Sequence, residues 1–226
     1  MNASAAFDRP ADLAGWLAYL ETLHPSAIAL GLDRVRAVLA RLDAPIACPV
    51  ITVTGTNGKG STAAMLEAML RADGYRTGLY TSPHLMRYNE RVRLDGREAG
   101  DEAMLAALNA VEGARTAGGP AVPLTYFEFG TLAALWLFAR AELDVAILEV
   151  GLGGRLDAVN IVDADVAVVT SIDLDHIEYL GPTREAIGRE KAGIFRALVP
   201  AVCGDADPPA SLVAHSQSLG APLTLM

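Results

Sequence analysis

The sequence predicts an α/β fold, an open and mostly parallel sheet with helices on both faces. Three observations lead there. Strand-patterned and helix-patterned segments alternate through most of the 226 residues, the rhythm of parallel strands joined by helical crossovers. Leu143–Glu149 and Ala164–Thr170 are apolar at most positions, as strands covered on both faces are. Pro49–Thr54 runs straight into a glycine-rich turn and a helix, which presents that turn beyond the carboxyl end of a strand, where open sheets bind ligands.

Pro10 to Leu23 patterns as an amphipathic helix with Leu13, Trp16, Leu17 and Leu20 on one face. Asp33 is placed to cap a second helix through Leu42. After the strand Pro49–Thr54, Ser61 to Ala72 is helical, and Gly74 ends the pattern. Thr77 to Thr81 forms a short strand that leads into Ser82-Pro83-His84-Leu85. Arg91-Val92-Arg93-Leu94 followed by Asp95-Gly96 signals a hairpin. Asp101 to Gly113 is helical, Gly118-Gly119-Pro120 is a flexible connection, and Phe127 to Ala141 is a strongly apolar, buried helix. Beyond the two central strands, helices over Arg184–Phe195 and Pro208–Leu219 flank a short strand, Pro200–Cys203. Pro222 to Met226 patterns as one more strand. The sheet is therefore expected to be incomplete at that end, as in a piece of a longer chain.

Apolar residues make up 52% of the chain and mean hydropathy is +0.30, enough for a substantial core. The net charge of −9 argues against nucleic-acid and membrane-surface partners, because no basic face is present to track phosphates. It does not argue against ATP, which backbone donors, one lysine and metal ions can hold. Cys48 and Cys203 are far apart, lack metal-ligand spacing and read as buried thiols in a reducing, cytoplasmic compartment. Neither a signal peptide nor a membrane-spanning apolar run is legible, and the sequon Asn2-Ala3-Ser4 carries no weight without one.

The turn after the first strand reads Thr54-Gly55-Thr56-Asn57-Gly58-Lys59-Gly60-Ser61. Small residues let backbone N–H groups face an anion, and the following helix adds a partial positive charge. Lys59 is placed along the β- and γ-phosphates of a nucleotide. The spacing departs from the usual phosphate loop, since two residues separate Gly55 from Gly58 and Gly60 precedes Ser61. Other polar residues fall at strand ends: Ser82, Glu149, Ser171, Asp173, Asp175 and His176. Hydroxyl, carboxylate and imidazole are plausible ligands for Mg²⁺ beside a triphosphate, although Mg²⁺ prefers oxygen. Each residue also has a plainer reading. Glu149 is a carboxylate paired with Arg155 or Lys191, His176 a capping or hydrogen-bonded histidine, Ser82 a turn hydroxyl, and Lys191 a surface lysine of a helix.

Taken in order, Thr54–Ser61, Thr81-Ser82-Pro83-His84-Leu85, Leu148–Asp157, Asp175-His176 and Gly188–Phe195 resemble the folate branch of the Mur ligase superfamily. Within it they are most similar to the bacterial bifunctional dihydrofolate synthase/folylpolyglutamate synthase group. Leu124-Thr125-Tyr126-Phe127-Glu128-Phe129 matches a segment that binds dihydropteroate in that subgroup. The resemblance runs from about Leu17 to the end of the chain. It implies a P-loop-type Mur ligase central domain in which Thr56, Asn57, Gly58, Lys59, Gly60 and Ser61 hold ATP. It further implies that Ser82, Glu149, His176 and Lys191 ligate two Mg²⁺ ions, with Lys191 carboxylated to a carbamate. Lys59, His176 and Lys191 are the implied catalytic residues. Thr125, Tyr126, Phe127, Glu128, Leu156, Asp157 and Ala158 are the implied contacts to the pterin-bearing substrate. Ala27 to Leu32 matches another substrate-contacting stretch, with Ala29 where some relatives carry an acid.

The implied reaction is ATP-dependent ligation of L-glutamate to dihydropteroate, and then to reduced folates, through an acyl phosphate. The family adds a smaller Rossmann-like C-terminal domain, so residues 1–226 alone are expected to be an incomplete ATP-binding domain with little activity, acting as a monomer. Two other readings are a muramyl-peptide ligase of the same superfamily and a nucleotide-binding fragment without catalysis. The Ser82-Pro83-His84 loop and the Thr125–Glu128 segment argue against the first.

Overall fold

In the computed structural model, residues 9–226 are described; the sequon at Asn2 lies outside them. Alternation of short apolar strands with helices produces one eight-stranded sheet. Its strands are β1 (Val50–Thr54), β2 (Thr77–Tyr80), β3 (Val92–Leu94), β4 (Arg97–Glu98), β5 (Val145–Glu149), β6 (Val166–Val169), β7 (Ala201–Cys203) and β8 (Leu223–Leu225). Their spatial order is β4-β3-β2-β5-β1-β6-β7-β8. From β2 to β8 every pairing is parallel, and only the β2–β3 and β3–β4 pairings are antiparallel. Strands β3 and β4 form the expected hairpin, whose turn residues Asp95 and Gly96 sit at φ 48 and 73, the backbone that a two-residue hairpin turn requires.

The helices are α1 (Leu13–Leu20), α2 (Asp33–Leu42), α3 (Lys59–Ala72), α4 (Asp101–Thr116), α5 (Tyr126–Phe138), α6 (Ile177–Leu180), α7 (Arg184–Ala192) and α8 (Ala210–Leu219). Strand alternation sorts the core onto two faces. Ala146 and Leu148 of β5 join the larger cluster, which includes Trp16, Val38, Leu108, Phe129, Ile187 and Leu212. Ile147, between them, joins Val53, Leu79 and Ala63 beneath α3. Helices thus cover both faces, as the doubly apolar strands require. Each large side chain fully buried here, such as Leu108 or Phe129, contributes about 1.5–3 kcal/mol.

The ends of several elements differ from the sequence reading, for local reasons. Helix α3 begins at Lys59, not Ser61, because Gly58 takes the N-cap position at φ 82. Helix α5 begins at Tyr126: Thr125 accepts from the Glu128 N–H while Glu128 accepts from the Thr125 N–H, a capping box. Asp33 does not cap α2; it is the first helical residue, behind Leu32, and pairs with Arg36 at 2.9 Å. The helix expected to reach Phe195 stops at Ala192. No helix among the described residues is long and apolar enough to cross a membrane.

Candidate functional site

The carboxyl ends of β1, β2, β5 and β6 open on one cleft of about 1090 Å³. Side-chain and backbone bonds from the end of β6 shape the turn after β1. The Thr56 N–H donates to the Ser171 carbonyl at 2.7 Å, the Asn57 N–H to Ser171 Oγ at 3.2 Å, and Thr170 Oγ1 to the Asn57 carbonyl at 2.6 Å. Thr56 Oγ1 donates to the Asp173 carbonyl at 3.1 Å. No side chain caps α3, so its first-turn N–H groups are available to an anion. Lys59 Nζ bends back over the turn and donates to the carbonyls of Gly55 and Thr56 at 3.0 and 3.2 Å. Thr56, Asn57, Gly58, Lys59 and Gly60 line the cleft; Ser61 is exposed on α3.

Glu149 ends β5 as a buried carboxylate. It pairs with neither Arg155 nor Lys191. Arg155 pairs with Glu190 at 2.8 Å, while Glu149 Oε2 accepts from the Ser82 N–H at 2.8 Å. Burial pushes the Glu149 carboxyl up, while the Ser82 N–H and the Lys59 charge hold it down. Its remaining lone pairs face the turn, with a Cβ position at Gly60 only 3.5 Å from Oε1. His176 precedes α6 with φ 46 and an exposed side chain that makes no cap bond, and it lines the same cleft.

Lys191 overturns its plain reading as a surface lysine: it is only 3% exposed, on the inner side of α7. Among the described residues its ammonium has no hydrogen-bond or ion-pair partner. Burial, then the Lys59 charge, pull it down to about 8, against an opposing pull from Asp175. No three His, Cys, Asp or Glu side chains among the described residues converge closely enough to hold a metal. Ser82, Glu149 and His176 line one cleft, and the buried Glu149 carboxylate, with lone pairs left over by its one backbone bond, is an oxygen donor suited to a divalent cation. Lys191 is not among the residues that line it.

The other wall carries Thr125, Tyr126, Phe127, Glu128, Leu156, Asp157 and Ala158, all of which line the cleft, together with Ala27 to Gly31. Two of the acids are already engaged. Glu128 pairs with Arg34 at 2.8 Å, and Arg34 also donates to the Ala29 carbonyl at 2.5 Å. Asp157 accepts from the Leu152 and Val159 N–H groups at 2.8 and 3.0 Å, bracing the glycine-rich loop after β5. Burial nevertheless pushes its carboxyl up to about 7. Arg34, Thr170 and Arg91 are neighbours to which the sequence reading gave no role, and His84 entered it only as part of the Ser82-Pro83-His84 loop. For Arg34 no local signal exists, since its partner lies 94 positions away.

Asp157 gives a test of this electrostatic picture. Its folded pKa lies above the ordinary carboxylate value of about 3.9. Folding therefore takes up a proton, and the stability this group contributes at low pH is lost as pH rises from about 4 through about 7. Urea unfolding of the wild type and of Asp157→Asn across that range is expected to show it. The wild type should lose on the order of 3 kcal/mol more than the variant. A constant difference between the two would show a carboxylate ionised throughout.

Comparison with known proteins places these features in context. The model of the Mur ligase middle domain matches residues 53–218. Dihydrofolate synthase/folylpolyglutamate synthase of Escherichia coli (strain K12) is 58% identical over 210 residues, covering 92% of this chain and 49% of that protein. The Haemophilus influenzae protein of the same name is 53% identical over 208 residues, covering 92% and 46%. A solved structure of E. coli FolC in complex with DHPP and ADP superposes with a TM-score of 0.92 at 56% identity, covering 96% of this chain and 52% of that one. A bifunctional folylpolyglutamate synthase/dihydrofolate synthase with Mn, AMPPNP and L-glutamate bound gives 0.88 at 53% identity, covering 96% and 53%. The chain spans about half the length of the curated relatives it matches.

Proposed function

We propose that this chain, which belongs to the Mur ligase middle-domain family, is the ATP-binding part of a ligase. The ligase joins L-glutamate to dihydropteroate and adds further glutamates to reduced folates. One observation carries the reading: a single cleft holds the phosphate turn with Lys59, the Ser82–Glu149 pair, and a wall of Tyr126 and Phe127. The 58% identity to a folate ligase favours folate over muramyl-peptide substrates.

A carboxylate is a poor electrophile, so the reaction must first activate it. The dihydropteroate carboxylate attacks the γ-phosphorus in line, giving an acyl phosphate and ADP. The glutamate amine then attacks the carbonyl carbon, and the tetrahedral intermediate expels phosphate. Gly58, Lys59 and Gly60 N–H groups and the Lys59 ammonium hold the phosphates and offset the charge that builds on them. The Tyr126 and Phe127 rings line the pterin side, and positioning supplies most of the remainder. Lys191, neutral more readily than an ordinary lysine, adds CO₂ to its amine with loss of a proton, giving a carbamate. Ser82, Glu149, His176 and that carbamate are the residues that would hold Mg²⁺, which would supply charge neutralisation at the triphosphate. The protein is proposed to act in the cytoplasm, as a monomer, without nucleic acid or membrane.

The test incubates the purified chain with Mg-ATP, dihydropteroate and L-glutamate, alone and joined to the C-terminal half of the E. coli relative. ADP and dihydrofolate are measured, together with ATP and dihydropteroate binding. Expected are binding of both ligands by the chain alone with very low turnover, and dihydropteroate-dependent ADP release in the joined form. Failure to bind dihydropteroate, or ADP release driven instead by a UDP-muramyl substrate, would overturn the reading.

A further inference from the structure

A second cation faces the cleft, and the roles above leave it unused. Arg91 ends the turn Tyr88–Arg91 and lines the cleft. Its Nε donates to His84 Nδ1 at 2.8 Å. The guanidinium carbon lies 5.4 Å from the Tyr88 ring centroid and 5.6 Å from that of Tyr126. His84 in turn packs edge-on against Tyr88, centroids 5.7 Å apart. Arg91 has no carboxylate partner among the described residues, whereas Arg34 on the neighbouring wall is held by Glu128. Of the four acids that share the cleft with it, three are engaged elsewhere, Glu149 by the Ser82 N–H, Asp157 by backbone and Glu128 by Arg34, and the fourth, Glu21, makes no ion pair with Arg91.

We propose that Arg91 receives a substrate carboxylate and that His84 is its positioning residue; the proposal rests on the ligase reading and deepens it. A guanidinium meets carboxylates edge-on through paired N–H donors. With Nε turned to His84, the terminal nitrogens form the edge that meets the acid. An Nε–H can only donate, so His84 Nδ1 carries no proton and the ring is the Nε2–H tautomer. The tyrosine faces favour the cation and fix its plane. Lys59 is committed to phosphate, so Arg91 is the cleft's donor for carboxylate. Three substrate carboxylates have that chemistry: that of dihydropteroate, that of a folate's glutamyl tail, and those of incoming L-glutamate.

The test measures dissociation constants for dihydropteroate, tetrahydrofolate and L-glutamate, each with a non-hydrolysable ATP analogue bound. Arg91→Met is expected to weaken at least one of the three by about 30-fold or more, and the ligand affected identifies the carboxylate. His84→Ala should weaken the same ligand about 10-fold, and His84→Asn, which restores an acceptor, should recover most of it. Because His84 acts through Arg91, the double variant should bind within about 2-fold of Arg91→Met alone. Thermal midpoints report folding of each variant. Unchanged affinity for all three ligands in Arg91→Met overturns the carboxylate site. Additive losses in the double variant, or no recovery in His84→Asn, overturn the positioning role. A wild-type chain that binds none of the three overturns the ligase reading itself, a distinct result.

Discussion

Replacing Lys59 by methionine is expected to weaken ATP binding about 100-fold, the loss of two charge-assisted hydrogen bonds to phosphate oxygen. Dihydropteroate-dependent ADP release in the joined form should fall further, by about a thousand-fold or more, because charge on the transferring phosphoryl group is offset mainly by such donors. The fold is expected to survive. Lys59 is half-buried and its ammonium rests only on the Gly55 and Thr56 carbonyls of its own turn. Titration of a fluorescent ATP analogue, beside a thermal melt, separates the two effects. Unchanged nucleotide affinity in a folded variant would remove the turn from the site. A secondary effect follows from Lys191, which the Lys59 charge helps to pull down. Without that charge the Lys191 amine should regain basicity, and carbamate formation should weaken in the same variant.

The sheet was legible in the sequence because its strands are apolar on both faces, a signal that depends on neighbouring residues alone. The phosphate turn was legible for the same reason: strand, glycines, lysine and helix follow one another without interruption. Glu149 was half legible. A charge ending an apolar strand announces a special role, but its bond to the Ser82 N–H spans 67 positions. Lys191 was not legible from pattern, since a lysine in Gly188-Arg189-Glu190-Lys191 looks like any solvated helix residue. Its burial arises because the loop after β5 folds onto α7, where the Arg155 N–H donates to the Glu190 carbonyl at 2.8 Å. Only the resemblance to a family pointed to it. Thr125-x-x-Glu128 was a readable start signal that went unused, and it would have placed the first residue of α5 correctly. Thr170 and Arg34 could not be found by local pattern, because each acts on a segment brought close by the fold.

Thr170 also decides what happens at Gly55, where alanine is expected to destabilise the chain by about 3 kcal/mol or more. Gly55 has φ 153, and a Cβ built there falls 1.8 Å from Thr170 Oγ1 and 3.1 Å from the Ser171 nitrogen. Relief requires the Thr170 side chain to leave, but that hydroxyl donates to the carbonyls of Asn57 at 2.6 Å and Thr54 at 3.3 Å. One rotation of Thr170 puts its methyl group where the hydroxyl was; the other puts a hydrogen there but gives up both hydrogen bonds and leaves Thr170 Cβ 3.1 Å away. Gly55→Ala should therefore lower the thermal midpoint and weaken ATP binding together, since the phosphate turn loses its brace. Adding Thr170→Ala separates the two causes. It removes the clash and about 1 kcal/mol of hydrogen bonding, but leaves the backbone strain of a side chain at that φ. The double variant should recover part of the stability and little of the nucleotide affinity. Full recovery of both would show that steric contact alone fixes glycine at this position, and that the turn holds phosphate without help from Thr170.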